Sequence, residues 1–420
     1  MRTEVIGGIT TFLAMAYIIV VNPAILKFAG LPVGASTVAT ILVAVIGSLL
    51  MGLYANRPIA VAPYMGENAF IAFGLAALGV TWQQRLGAVF ISGLVFLIIT
   101  FVGLRTWLAN AISSSLKYSF AVGIGLFLAF IGLNETGIVM KAEAVPVKIG
   151  NLRSTEVLLA IAGFLLMMVL MQRRVRGAIL IGIVATAIAG ILLGMGHAPR
   201  AVIAMPPSVA PIALHLDILG VLRLSFLPIL LTLFLMSFLD TLGTLVGVGA
   251  AGGMLDEKGN FPQIERPMTV DAIACMVSGL LGTSTSGAYI ESATGIREGA
   301  RTGIAAVTTA VLFAISLFFI PLIEPLQQLR FAYGPALIAV GVLMLESIRK
   351  IEFDDLTELV PAFVTITMMI FTYNIANGLT AGLVLYPILK LLAGRACEIN
   401  GGSIVLAILC LIYYIFGLPH

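Results

Sequence analysis

The sequence predicts an all-α polytopic membrane protein, and three observations carry that expectation. Of its 420 residues, 60% are hydrophobic and only 10% are charged, and the mean hydropathy is +1.11, far above a soluble domain of this size. Apolar runs near the roughly 20 residues that a helix needs to cross a hydrocarbon core recur from end to end. The runs also fall into two sets of seven, about 14 transmembrane segments in all.

The first set lies near 9–27, 36–54, 64–79, 84–104, 112–132, 155–172 and 177–195. The second lies near 225–248, 268–282, 287–300, 302–323, 356–374, 376–394 and 402–417. The stretch 335–347 is too short to cross alone and reads as a half-helix or interfacial piece, which leaves room for one more segment. The opening MRTEVIGGITTFLAMAYIIVVNPAIL is long and lacks a small-residue cleavage site, so it reads as the first span and not as a signal peptide.

Several function classes drop out. A net charge of +3 argues for neither nucleic acid nor an acidic soluble partner. No Walker loop, nucleotide fingerprint or HExxH occurs, so an ATP-driven pump and a membrane metalloprotease have no support, and no cofactor or metal is expected. Cys275, Cys397 and Cys410 lack redox or ligand spacing and read as small buried hydrophobes. His197, His215 and His420 fall in loops or at the terminus without partner spacing.

The basic cluster QRRVRG at 172–177 is expected in the cytoplasm by the positive-inside rule. An even number of spans then puts both termini inside, in keeping with Arg2, Arg57, Lys390 and Arg395, and turns the loop 195–224 outward; Arg85 and the lysines at 141 and 148 fit less well.

Sliding the chain on itself brings PYMGENAF (63–70) onto GAYIESAT (287–294), pairing Glu67 with Glu291 and Ala69 with Ala293 (291 − 67 = 224). The same shift sets Ala16 against Asp240 and Gly79 against Gly303. An odd number of spans per repeat makes the second half enter the membrane upside down.

Spans three and ten each combine a break (APYMGEN; TSTSGAY) with a short helical remainder. Their open backbone cannot face lipid, so it must line a buried or watered cavity. The Tyr, Ser and Thr residues there suit short strands that bond to each other, leaving half-helix N-termini aimed at the midplane. A plain polar loop over 284–299 is the competing reading, which the paired placement and the apolar run from 302 oppose.

Span eight carries Asp240 at its middle, with Ser237, Thr241 and Thr244 on the same helical stripe. A central carboxylate costs about 2.5–3.5 kcal/mol on insertion scales, which makes it a functional candidate; a structural Asp bonded to those hydroxyls is the alternative. Such a group can take up a proton near neutral pH, as a proton-coupled carrier requires. Glu291, opening a half-helix, is expected to be held charged by the dipole and amide donors as a fixed acceptor for ligand N–H groups. Glu67 and Asn68 hold the matching place in span three, Asn68 offering both a donor and an acceptor. Tyr64 and Tyr289 are placed to stack or bond, or else to sit at the membrane interface, while Glu298, Arg297 and Arg301 read as a structural ion pair near water.

Taken together, GGITTFLAMAYIIVVNPAIL, APYMGENAFIAF, SFLDTLGTLVGVG and TSTSGAYIESATGIREGARTG resemble the AzgA-like branch of the nucleobase/ascorbate (xanthine/uracil permease) transporter family over nearly the whole chain. The resemblance implies the uracil-permease-like (UraA-like) fold of two inverted seven-segment repeats, with short strands in segments three and ten. It implies a core domain from 1–105 and 225–324 and a gate domain from 106–224 and 325–420. The family's segment-eight acid falls on Asp240, its segment-ten acid on Glu291 and its segment-three strand on Ala62 to Asn68. Uracil-type members often carry His one turn beyond the segment-eight acid; here that place is Thr244, a departure that argues against a His-assisted relay.

The function implied is import of adenine, guanine or hypoxanthine by proton symport across a plasma membrane, the inner membrane in a bacterium. Expected substrate contacts are Glu291, Asp240, Asn68, Gly66, Tyr289, Ile290, Glu67 and Thr241, with Asp240 and Glu291 serving proton coupling. Partners are then the purine base, protons and the bilayer, with homodimerisation left open. A uracil- or xanthine-type symporter is the nearest alternative. An anion carrier of the same architecture would want a positive site, and an enzyme or channel finds no motif of its own.

Overall fold

The computed structural model describes residues 1–76, 78–199, 201–255 and 261–416; His420 lies outside them. In chain order the elements are α1 (Arg2–Met15), α2 (Ile18–Leu26), α3 (Val33–Leu53), β1 (Val61–Pro63), α4 (Met65–Ala69), a π-turn (Phe70–Gly74), α5 (Trp82–Val102), α6 (Arg105–Ala111), α7 (Ser114–Glu135), β2 (Val139–Lys141), β3 (Val147–Ile149), α8 (Thr155–Gln172) and α9 (Ala178–Leu192). The second half continues with α10 (Ile218–Val221), α11 (Leu227–Ala251), α12 (Glu265–Leu281), β4 (Ser286–Ala288), α13 (Ser292–Arg297), α14 (Gly303–Ser316), α15 (Ile320–Gln328), α16 (Arg330–Met344), α17 (Leu356–Phe371), α18 (Ile375–Leu392) and α19 (Gly401–Phe416). Among the described residues, nine helices are long and apolar enough to cross a membrane and three more are shorter apolar helices.

The repeat is visible in the packing. As α3 and α1 lie on α14, so α12 and α11 lie on α5; as α17 lies on α7, so α16 lies on α8, while α7 and α16 pack against each other. The helices thereby sort into a first bundle (α1–α5 with α11–α14) and a second (α7–α9 with α16–α18).

Two expectations change. The stretch 335–347 is the interior of α16, which a 3-10 turn (Leu345–Lys350) extends to spanning length. Pro335 and the charged ends Arg330 and Lys350 break the apolar run in sequence without breaking the helix. α16 is the counterpart of α7, so α17 and α18 complete the second seven and α19 lies beyond both repeats, packed on α18 and α6. The strand placed at Ala62 to Asn68 is shorter, Val61–Pro63, and Glu67 and Asn68 are already helical in α4.

Irregular backbone is satisfied locally. Pro23 inside α2 has no N–H to give the Ile19 carbonyl, which accepts from Gln327 Nε2 at 2.8 Å instead. Lys390, 1% exposed, reaches Asp355, Glu358 and Glu398 at 3.4, 3.1 and 2.8 Å and ties the start of α17 to the end of α18. Glu298 pairs with Arg176 from the 172–177 cluster, not with Arg297 or Arg301; Arg301 binds the Ile296 and Ala300 carbonyls.

Where α14 meets α3, a Cβ on Gly303 would stand 1.9 Å from the Gly52 carbonyl oxygen. Small residues let such backbones touch. Gly303→Val should therefore lower stability by roughly 1–3 kcal/mol, read as a lower midpoint of thermal unfolding in detergent; an unchanged midpoint would refute this contact.

Candidate functional site

The broken segments meet at the centre of the first bundle. β1 and β4 pair antiparallel, Val61 opposite Ala288, Ala62 opposite Gly287 and Pro63 opposite Ser286. Tyr64 N–H to Thr285 O and Tyr289 N–H to Ala60 O, both 2.9 Å, prolong the ladder. A Cβ on Gly287 would lie 2.1 Å from the Tyr64 hydroxyl and 2.8 Å from Asp271 Oδ2, so only glycine fits there. The short helices α4 and α13 start just beyond the strands, as the sequence leads one to expect.

Glu291 stands at the N-cap of α13, but its side chain makes no bond to the helix amides. Its donor is the Tyr17 hydroxyl, 2.7 Å from Oε1, delivered by the break between α1 and α2. The expected cradle of helix amides is thus replaced by the Tyr17 phenol and Glu291's own backbone amide. Tyr289 lies within electrostatic reach of Glu291, Glu67 and Asp240, its hydroxyl donates to Pro63 O at 2.6 Å, and its ring lies parallel to Tyr64 with centroids 6.4 Å apart.

The polar stripe of α11 divides. Ser237 and Thr241 turn into the bundle, where the Thr241 hydroxyl donates to Asp271 Oδ2 at 2.9 Å and lies 3.0 Å from the Tyr64 hydroxyl. Asp240 and Thr244 are half-buried beside the exposed Gly243 and Gly247. A Cβ on Gly243 would meet nothing within 4 Å, and one on Gly247 only the tip of Ile290, itself 60% exposed. Asp240 therefore borders an open cleft beside α11 and Ile290.

The carboxylate that neighbouring hydroxyls hold in place is Asp271, on α12, which sequence reasoning passed over. It is fully buried, and its Oδ2 also accepts the Ala288 N–H at 2.9 Å. Its signal was the one used for Asp240, an acid inside an apolar run, in MTVDAIACMV. Tyr17 and Asn22 were missed as well, because a tyrosine or asparagine in the first span has no distinguishing pattern.

Glu67 and Asn68 sit deeper than a ligand-facing pair would. Glu67 is fully buried; Thr285 donates to its Oε2 at 2.7 Å, and its Oε1 has no protein partner. Asn68 Nδ2 donates to Asn22 Oδ1 at 2.9 Å, while Asn22 Nδ2 holds Thr40 and Thr283. Asn68 Oδ1 and Ser237 Oγ are likewise buried without a partner. Gly66 lets α4 approach α7 of the second bundle, since its Cβ would strike Ile124 at 2.4 Å. Cys275, expected as a plain hydrophobe, donates to the Ser286 carbonyl at 3.0 Å. Among the described residues no group of His, Cys, Asp and Glu has the arrangement of a metal site.

Residues 2–380 match the model of the Permease family (Xan_ur_permease). The adenine permease AdeP of Escherichia coli (strain K12) is 40% identical over 420 residues, covering 100% of this chain and 94% of that protein. The guanine/hypoxanthine permease PbuO of Bacillus subtilis (strain 168) is 39% identical over 414 residues, 97% of this chain and 96% of that one. Among solved structures, the transmembrane domain of a cyanobacterium bicarbonate transporter, BicA, superposes with a TM-score of 0.68 at 15% identity, covering 91% of this chain and 97% of that domain.

Asp271→Ala should leave the Ala288 N–H unpaired and cost about 1–3 kcal/mol, seen as a fall in thermal midpoint. Asp271→Asn, whose carbonyl still accepts, should recover most of it, and equal losses in the two variants would contradict the bonding described.

Proposed function

The chain belongs to the Permease family, a transporter family, and from that premise we propose that it imports purine nucleobases by proton symport with alternating access. It is a multi-pass membrane transporter and not an enzyme. The purine assignment is supported by relatives named for adenine and for guanine and hypoxanthine. The bicarbonate transporter shares the fold at an identity too low to carry substrate.

The observation that carries the proposal is the group Glu67, Asp240, Asp271 and Glu291 around one strand crossing, none of which forms an ion pair with Lys, Arg or His among the described residues. In a low-dielectric interior so many carboxylates need more than the few hydroxyl and amide donors around them, and bound protons or the N–H donors of a ligand supply it. An anion would be repelled. A flat neutral purine fits, because the bare α11 face at Gly243 and Gly247 lets a ring lie against the helix beside Ile290.

In this reading Glu291, steadied by Tyr17, accepts N–H groups of the base, and Asp240 at the cleft edge binds the coupling proton. Asn68, Glu67, Thr241, Tyr289 and Gly66 act behind them, holding the broken segments in register. Residues 1–105 and 225–324 form the moving core and 106–224 and 325–420 the gate, with the 172–177 cluster and the amino terminus in the cytoplasm.

Glu291→Gln should abolish saturable uptake of radiolabelled adenine and guanine, by about 100-fold or more if a charged acceptor is lost. Asp240→Asn should keep binding and exchange while losing accumulation against a gradient. Normal uptake in the first variant, or normal accumulation in the second, would sink the corresponding role.

A further inference from the structure

Where the π-turn of the first bundle meets α7 and the α17–α18 turn of the second, five rings close on each other. Phe28, after α2, and Phe73, in the π-turn, come from the first bundle; Phe127 and Phe130 of α7 and Tyr373, between α17 and α18, come from the second. Tyr373 is the hub, with ring centroids 5.8 Å from Phe73, 5.3 Å from Phe127 and 5.8 Å from Phe130, all edge-on, and Phe73 lies 5.1 Å from Phe28. Arg330 covers Phe28 at 5.6 Å, with its Nε 3.5 Å from Glu135 Oε2, which also accepts from the Tyr333 hydroxyl at 3.1 Å.

Both backbones are unusual at this contact. Tyr373 has φ +53, a left-handed conformation that a bulky residue adopts only under constraint. Its neighbour Asn374 is fixed by capping the Ala376 N–H at 2.9 Å. Opposite stands the π-turn, which carries the half-buried Phe73 and puts Gly74 against Asn374, whose Oδ1 would lie 3.5 Å from a Gly74 Cβ. Just beyond, a cavity of about 410 Å³ opens under the β2–β3 hairpin, with Glu135, Lys141 and Arg330 in its walls. The α11 face at Gly243 and Gly247 is uncovered, whereas here rings from the two bundles are in contact.

We propose that Tyr373 is a gating residue: an aromatic latch with Phe73 and Phe28 that closes the cleft at the hairpin end and must part before the site opens toward that side. This rests on the alternating-access reading above. The strained turn gives the latch a second resting state, because release of the ring lets φ relax.

The test is two-sided labelling of the full-length transporter. Gly243→Cys, on the uncovered face, is introduced with Cys397→Ser, since Cys275 and Cys410 are buried. A charged, membrane-impermeant maleimide is applied to right-side-out and inside-out vesicles, with and without adenine. The parent should label mainly from one side. Tyr373→Gly, which removes the ring and accepts the left-handed φ, should raise labelling from the other side by roughly fivefold or more. Tyr373→Phe should restore the one-sided pattern, and Phe73→Leu should resemble Tyr373→Gly, which covers a failure of either variant to fold. One-sided labelling in folded Tyr373→Gly and Phe73→Leu overturns the latch. A parent that still binds adenine by thermal shift but whose labelling never responds to it, beside a two-sided Tyr373→Gly, overturns alternating access and leaves the latch standing.

Discussion

The pairing of three residues with three others, Val61–Pro63 with Ser286–Ala288, is the contact on which the rest of the structure depends. In lipid each unpaired amide or carbonyl costs several kcal/mol, so a broken span survives only if both edges of its strand are occupied. The inner edges bond to each other. On the outer edges, Ser48 takes the Val61 amide and carbonyl, Ser292 the Ala60 amide, Asp271 the Ala288 amide and Cys275 the Ser286 carbonyl. Helices α3 and α12, which supply Ser48, Cys275 and Asp271, are therefore fixed against the strands by hydrogen bonds as well as by packing.

That scaffold explains why polar side chains gather at the centre of an apolar protein. Tyr64 passes the strand's position to Thr241 and through it to Asp271, while Asn22 joins Asn68, Thr40 and Thr283 across four chain segments. Most of this network serves the backbone. What it leaves facing the cleft is small, Asp240, Thr244, Ile290 and Glu291, borne on two elements whose relative placement the strands dictate. Buried atoms without partners, Glu67 Oε1, Asn68 Oδ1 and Ser237 Oγ, lie one layer behind and mark where the network is incomplete.

Legibility followed chemistry. Asp240 and Glu291 were readable because a carboxylate in an apolar run is expensive and conspicuous, and Asp271 obeyed the same rule but had no hydroxyl three or four positions away to make a polar stripe with it. The two broken segments were readable from the 224-residue correspondence of PYMGENAF with GAYIESAT. Tyr17 was not, since its importance arises only from the hydroxyl it places on Glu291, 274 residues away. The extent of α16 was misjudged because hydropathy stops at charged helix ends while hydrogen bonding does not.

The sequence by itself determined the membrane setting, the inverted halves and the acids at the two corresponding breaks, because lipid imposes length, apolarity and the rarity of charge residue by residue. Only the tertiary structure decided which acid meets the cleft and which braces a strand, that Glu291 is served by a distant phenol and not by the helix amides, and that rings from both bundles meet at Tyr373. Those outcomes depend on the angle at which two distant segments cross, and no local pattern encodes it.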